Sequence, residues 1–187
     1  MDFTALLYDR YGLSAEAVQQ LMQYAERVPF GKKECVVREG ARDDYVWFVE
    51  TGSVRSYVMC GNKSMILRIA FEGDAATWTL GATESQTARI TVETMEQSVL
   101  LRFPRRRMEE IFASSAELAN WSRRLTEGMF RIIQDYFTDY SWQDKSKQYQ
   151  YLLHKYPGLL QRVPLKDLAA YLFMTPQTLS RIRAGLK

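Results

Sequence analysis

The chain has 187 residues, 47% hydrophobic and 25% charged, with a formal net charge of +3, enough apolar matter for one large core or for a medium and a small one. It contains no run of about 18 apolar residues, and Asp2, Asp9 and Arg10 interrupt its start, which argues against a membrane span or signal peptide and for a cytosolic protein. Two cysteines, Cys35 and Cys60, and one histidine, His154, exclude a disulfide framework, a four-thiolate iron–sulfur cluster and a histidine-rich metal site, and leave no histidine for a catalytic triad elsewhere; both thiols are expected buried and reduced.

In chain order, Ser14 can cap a helix running to about Arg27, with Val18, Leu21, Met22 and Ala25 at three- and four-residue spacing. From Phe30 to Phe103 short runs rich in β-branched and aromatic residues predict strands at Cys35 to Val37, Tyr45 to Val49, Val54 to Met59, Met65 to Phe71, Arg89 to Thr94 and Val99 to Phe103. Gly31, Gly40, Gly52, Gly61, Gly73 and Gly81 stand between them as turn residues. Strands so spaced predict an antiparallel β-barrel or jelly roll. After Pro104 the pattern becomes helical: a turn-rich segment from Arg105 to Ala113, then an apolar stripe through Leu118, Trp121, Leu125, Met129, Ile132, Tyr136 and Tyr140 that advances by three and four residues. A helix of that length must bury its stripe, either by folding back on the barrel or, as its length favours, against its twin in a symmetric dimer.

Residues 145 to 160 read as a further helix, apolar at Tyr149, Leu152 and Leu153 and ended by Pro157 and Gly158. Leu165, Leu168, Ala169 and Leu172 then form one apolar face, and Thr175 followed by Pro176 starts a second helix with Leu179 and Ile182 inside. Two short helices joined by a turn of about three residues are a helix-turn-helix. Its second helix presents Gln177, Thr178, Ser180, Arg181 and Arg183, side chains that hydrogen-bond bases and phosphates. Charge coincides with this motif: residues 141 to 187 carry eight Lys or Arg against Asp144 and Asp167, a net +6, whereas the remainder is net −3.

From about residue 14 onward the chain resembles the Crp/Fnr transcription regulators. The stretch Tyr45 to Arg55 looks like the family's strand-turn-strand signature, Glu72-Gly73-Asp74 like its following turn, and Thr175 to Arg183 like the recognition helix of its short-tailed Bacteroidetes-type branch. The resemblance implies an α+β chain: a helix and cyclic-nucleotide-binding-like barrel or jelly roll at 1–113, a dimerisation helix at 114–143, and a helix-turn-helix domain without a wing at 144–187. It implies a homodimer that binds double-stranded DNA at an inverted repeat, with RNA polymerase among the partners open to it and an unknown small-molecule effector. Gln177 and Arg181 fall on the positions that read bases; Thr175, Thr178, Ser180, Arg183 and Lys187 complete the expected DNA-binding set. Leu118, Trp121, Leu125, Met129, Ile132 and Tyr136 are the expected dimer interface.

Three departures qualify the resemblance. Thr77 and Trp78 stand where cyclic-AMP-responsive members have Gly-Glu, and an indole can only donate a hydrogen bond, so cyclic AMP is not the expected ligand. Arg89 lies at or near the family's phosphate arginine. A pocket of Thr77, Trp78 and Arg89 would take an anionic ligand through Arg89 or an aromatic or apolar one through Trp78; a filled core without ligand is the other reading. Phe173 occupies a turn position where positive φ makes glycine usual, so either the turn has another geometry or the ring packs well enough to offset the strain. The ending at Lys187 leaves out the wing and its phosphate contacts, from which weaker or more dimer-dependent DNA binding is expected. No enzyme, metal or cofactor is expected, since a metal enzyme on this barrel would need several inward histidines or carboxylates. The alternative is a ligand-binding or interaction module that has lost specific DNA binding.

Overall fold

The computed structural model describes residues 2–61, 63–77, 87–135, 144–156 and 158–185. Close packing divides the chain into two compact units, residues 1–56 with 69–129, and residues 57–68 with 130–187. None of the described helices is long and apolar enough to cross a membrane.

The chain opens with α1 (Phe3–Asp9), where Asp2 accepts from the Thr4 N–H, and α2 (Ala15–Met22), where the Ser14 hydroxyl accepts from the Ala17 N–H. The expected cap at Ser14 is present, but the helix stops at Met22 and not near Arg27. Its last turn tightens through Tyr24 N–H to Leu21 O and Ala25 N–H to Met22 O, and Arg27 lies in β1 (Glu26–Phe30), paired antiparallel with β7 (Ser98–Pro104). This strand escapes the sequence pattern because it starts on Glu26 and Arg27, both exposed. The other strands are β2 (Cys35–Val37), β3 (Tyr45–Thr51), β4 (Val54–Cys60), β5 (Lys63–Ala70) and β6 (Thr91–Thr94).

They form two sheets, ordered β1-β7-β3 and β2-β6-β4-β5. This is the jelly-roll alternative, two facing sheets and not a closed barrel. Side-chain alternation along β3 sorts its residues into two layers. Val46 and Phe48 point into a core shared with α1, α2, Met108, Ile111, Leu118 and Trp121, while Trp47 and Val49 join Val37, Val54, Ala76, Val92 and Leu100 between the sheets. Strand β7 divides the same way, Leu101 and Phe103 to the first layer and Leu100 to the second. Burial on both faces explains the unbroken apolar run from Tyr45 to Val49. Cys35 and Cys60, expected buried, are both exposed, because each ends a strand whose inward positions are taken by valine and serine.

The segment after Pro104, where the pattern becomes helical, is the helix α3 (Arg105–Ser114). Its start is fixed by Arg105, whose backbone N–H meets Asp44 O and whose buried guanidinium pairs with Asp43. The long helix α4 (Ala116–Asp135) follows. Leu118 and Trp121, expected at a dimer interface, are 0% and 1% exposed in the protomer's own core. Trp121 stacks on Phe48 at 5.8 Å and meets Tyr11 edge-on at 6.1 Å, and Leu125 and Met129 pack on the rim of that core. The first half of the stripe therefore follows the fold-back alternative. Tyr136 and Tyr140 lie outside the described residues.

The second unit carries α5 (Lys145–Lys155), α6 (Leu159–Arg162), α7 (Leu165–Tyr171) and α8 (Pro176–Gly185). The single helix expected over 145–160 is thus two: α5 closes at Tyr156, whose N–H meets Leu152 O, and Gly158 opens the short α6. Pro157 is outside the described residues. Among the described residues from α5 to α8, Tyr149, Leu152, Leu159, Val163, Leu168, Ala169, Leu172 and Leu179 are the buried apolar ones.

Candidate functional site

Helices α7 and α8 pack against each other, and the turn between them can be followed bond by bond. The Met174 N–H returns to Ala169 O (2.9 Å) and the Phe173 N–H to Ala170 O (3.3 Å), the bond pair of a helix end that requires a left-handed residue next. That residue is Phe173, with φ of +52°. The expected glycine-type geometry is therefore retained by a phenylalanine, at a strain of about 1 to 2 kcal/mol, while 44% of the residue stays exposed. Neither another geometry nor full packing removes the strain. Lys145 supports the same turn from α5, its Nζ donating to Leu172 O (3.3 Å) and to Gln148 Oε1 (3.2 Å), where a cation suits the carbonyls at a helix C-terminus. Sequence reasoning counted Lys145 only as a basic residue, since nothing local links positions 27 apart.

Thr175 then caps α8 as expected: its hydroxyl accepts from the Thr178 N–H (3.1 Å) and its carbonyl from the Leu179 N–H (3.0 Å). Thr178 is half-buried, with its own hydroxyl 2.9 Å from that of Thr175, so it serves the cap. Leu179 is fully buried, and Gln177, Ser180, Arg181 and Arg183 are exposed. Neither Arg181 nor Arg183 has a carboxylate partner among the described residues. One helix thus presents an amide, a hydroxyl and two uncompensated guanidinium groups. Lys187 lies outside the described residues.

Of the three residues expected to form an effector pocket, Thr77 and Arg89 are described. Thr77 is buried and its Oγ1 accepts from the Trp47 N–H (3.3 Å), next to the bond from Ala76 N–H to Trp47 O (2.7 Å), so it is a tie to β3. Arg89 is exposed and follows Ala88, which bonds to Gly40 and Ala41. Trp78 lies outside the described residues. On the inner side of β3, Trp47 meets Phe30 at 5.8 Å and Tyr45 at 6.0 Å, aromatic filling that the sequence reading did not pick out. Two clefts of about 530 and 300 Å³ share Arg42, Asp43, Asp44 and Tyr45; neither is lined by Thr77 or Arg89.

Residues 27–115 match the family model of the cyclic nucleotide-binding domain. No curated protein matches the sequence significantly. Among solved structures, the chain is similar to FixK2 from Bradyrhizobium japonicum, 21% identical over 87% of this chain and 84% of that one, with a TM-score of 0.77. It is also similar to a CooA mutant from Carboxydothermus hydrogenoformans (16% identical, 99% and 84% covered, TM-score 0.70). A third similar structure, from Eubacterium rectale, is assigned to the Crp/Fnr family (16% identical, 94% and 83% covered, TM-score 0.70). Residues 27–115 thus match a cyclic nucleotide-binding domain, and the chain has the fold of the Crp/Fnr regulators.

Proposed function

We propose that the chain is a DNA-binding transcriptional regulator whose helix α8 enters the major groove, with Gln177 and Arg181 on base edges and Thr175, Ser180 and Arg183 toward the phosphates. The observation that supports this most is the exposed row Gln177, Ser180, Arg181 and Arg183 over the buried Leu179. Residues four apart share a helix face, so Gln177 and Arg181 address neighbouring base pairs. Guanidinium can give two hydrogen bonds to guanine and a primary amide two to adenine. The net +6 of residues 141 to 187 supplies the sequence-independent attraction to the backbone.

The reading is tested by selecting bound DNA from random sequence and measuring affinity for it at two salt concentrations. Affinity is expected to fall steeply with salt, and folded Arg181→Ala to lose about 1 to 3 kcal/mol and relax preference at one base position. Wild-type protein that selects no sequence and binds without salt dependence overturns it in favour of a ligand-binding or interaction module. Cyclic AMP is not the effector in this proposal: the Thr77 hydroxyl is already engaged by the backbone of β3, and Trp78 offers no acceptor for a ribose hydroxyl. Calorimetry is expected to show no binding at the micromolar level, which corresponds to about −8 kcal/mol.

A further inference from the structure

Phe173 sits at the one position in the helix-turn-helix where the backbone bonds of α7 impose a left-handed conformation, with φ of +52°. Glycine adopts that conformation freely and asparagine with little penalty, whereas a bulky side chain there is a genuine outlier. Burial is the usual compensation for a strained aromatic residue, yet 44% of Phe173 is exposed. Strain held at a side chain this exposed is a mark of a functional position. The placement says which function: Phe173 stands two residues before the N-cap Thr175, so its Cα is at most about 7.6 Å from that of Thr175. The residues that follow it, Thr175, Pro176 and Gln177, are all exposed.

We infer that Phe173 is a DNA contact, its ring lying on the apolar faces of the deoxyriboses beside the phosphate that the start of α8 approaches. This rests on the proposed reading of α8 as the DNA-reading helix. The surrounding unit is basic, so its approach to a nucleic acid backbone is favoured, and an aromatic ring against sugar adds contact area where lysine and arginine add charge. The contact releases no counterion, since the ring neutralises no phosphate. It strengthens binding without making it more sensitive to salt.

The test uses the full chain and the DNA that the wild type selects from random sequence. Phe173→Gly relieves the backbone and removes the ring, so its thermal midpoint is expected to rise while its affinity falls about tenfold, the slope of affinity against salt staying as in the wild type. Phe173→Tyr keeps the ring and is expected to bind within about twofold of wild type. Phe173→Ala keeps the strain without the ring and is expected to lose both stability and affinity. Phe173→Gly that is more stable and binds as well as the wild type overturns the contact, as does a failure of Phe173→Tyr to keep affinity. A wild type that selects no DNA overturns the reading of α8 and the contact with it, whereas selective wild-type binding with an equal Phe173→Gly overturns the contact alone.

Discussion

A β-carbon on Gly52 would collide with Ser98 Oγ and lie 2.8 Å from Ser98 Cα, at a φ of +92°. The turn that joins β3 to β4 therefore closes directly against the first residue of β7, and its N–H is held by Glu72 Oε1 at 2.9 Å. Gly52→Ala must move backbone as well as adopt a left-handed conformation, and is expected to lose about 2 to 4 kcal/mol in urea unfolding. Gly40, at φ of +80° with open space around it, is the control: Gly40→Ala carries only the conformational strain, about 1 kcal/mol. A midpoint for Gly52→Ala no lower than that of Gly40→Ala would show that the Ser98 approach relaxes easily. The sequence marks both glycines as turn residues, and Gly31 equally, although Gly31 does not take positive φ. Composition locates turns; the crowding that makes one glycine irreplaceable comes from Ser98, 46 positions away.

Helix elements here are joined by a few polar ties that local pattern does not disclose. Glu117, on the first turn of α4, accepts from both the backbone N–H (2.6 Å) and the hydroxyl (2.7 Å) of Ser14 at the start of α2. These bonds, backbone first and then side chain, hold its carboxyl below the usual carboxylate range. A depressed folded-state value gives stability that is present above the unfolded value and disappears as pH falls through the folded one. The wild type is therefore expected to lose more of its thermal midpoint between pH 6 and pH 3 than Glu117→Gln, while at pH 7 the variant is the less stable. Parallel midpoints for the two proteins across that range would remove the tie. The periodicity of α4 was legible in sequence, and its burial with it. What buries it was not, because a stripe records only that one face avoids water. Trp121 meets Phe48 from β3 and Tyr11 from the N-terminal segment, partners that only the topology assembles. The cap of α8 was fully legible, since Thr175, Pro176 and Thr178 are neighbours in the chain.

At the scale of the whole molecule, the proposal requires two copies. Leu118 and Trp121 have no surface left for a partner, so a dimer built on α4 must use its later part, where Phe130 is 58% exposed and Ile132 and Ile133 are half-buried. Phe130→Glu with Ile132→Glu is expected to give folded monomer in sedimentation and to weaken operator binding sharply, since each half-site is then bound alone. An unchanged dimer would move the interface elsewhere. A two-fold dimer is expected to select an inverted repeat with half-sites about 10 to 10.5 base pairs apart, one helical turn.

The two-sided burial of β3 has a mechanical consequence. A strand with one wet face can shift or twist toward solvent when its dry face is disturbed. This one has no compliant side: Trp47, tied to Ala76 and Thr77, and Phe48, stacked on Trp121, are consecutive residues on opposite faces of the same backbone. Interiors this dense transmit displacement. Any rearrangement of the segment at residues 75 to 77 that drags β3 with it must therefore be felt one peptide unit away at the root of α4, with Trp121, itself a fluorophore, at the receiving end.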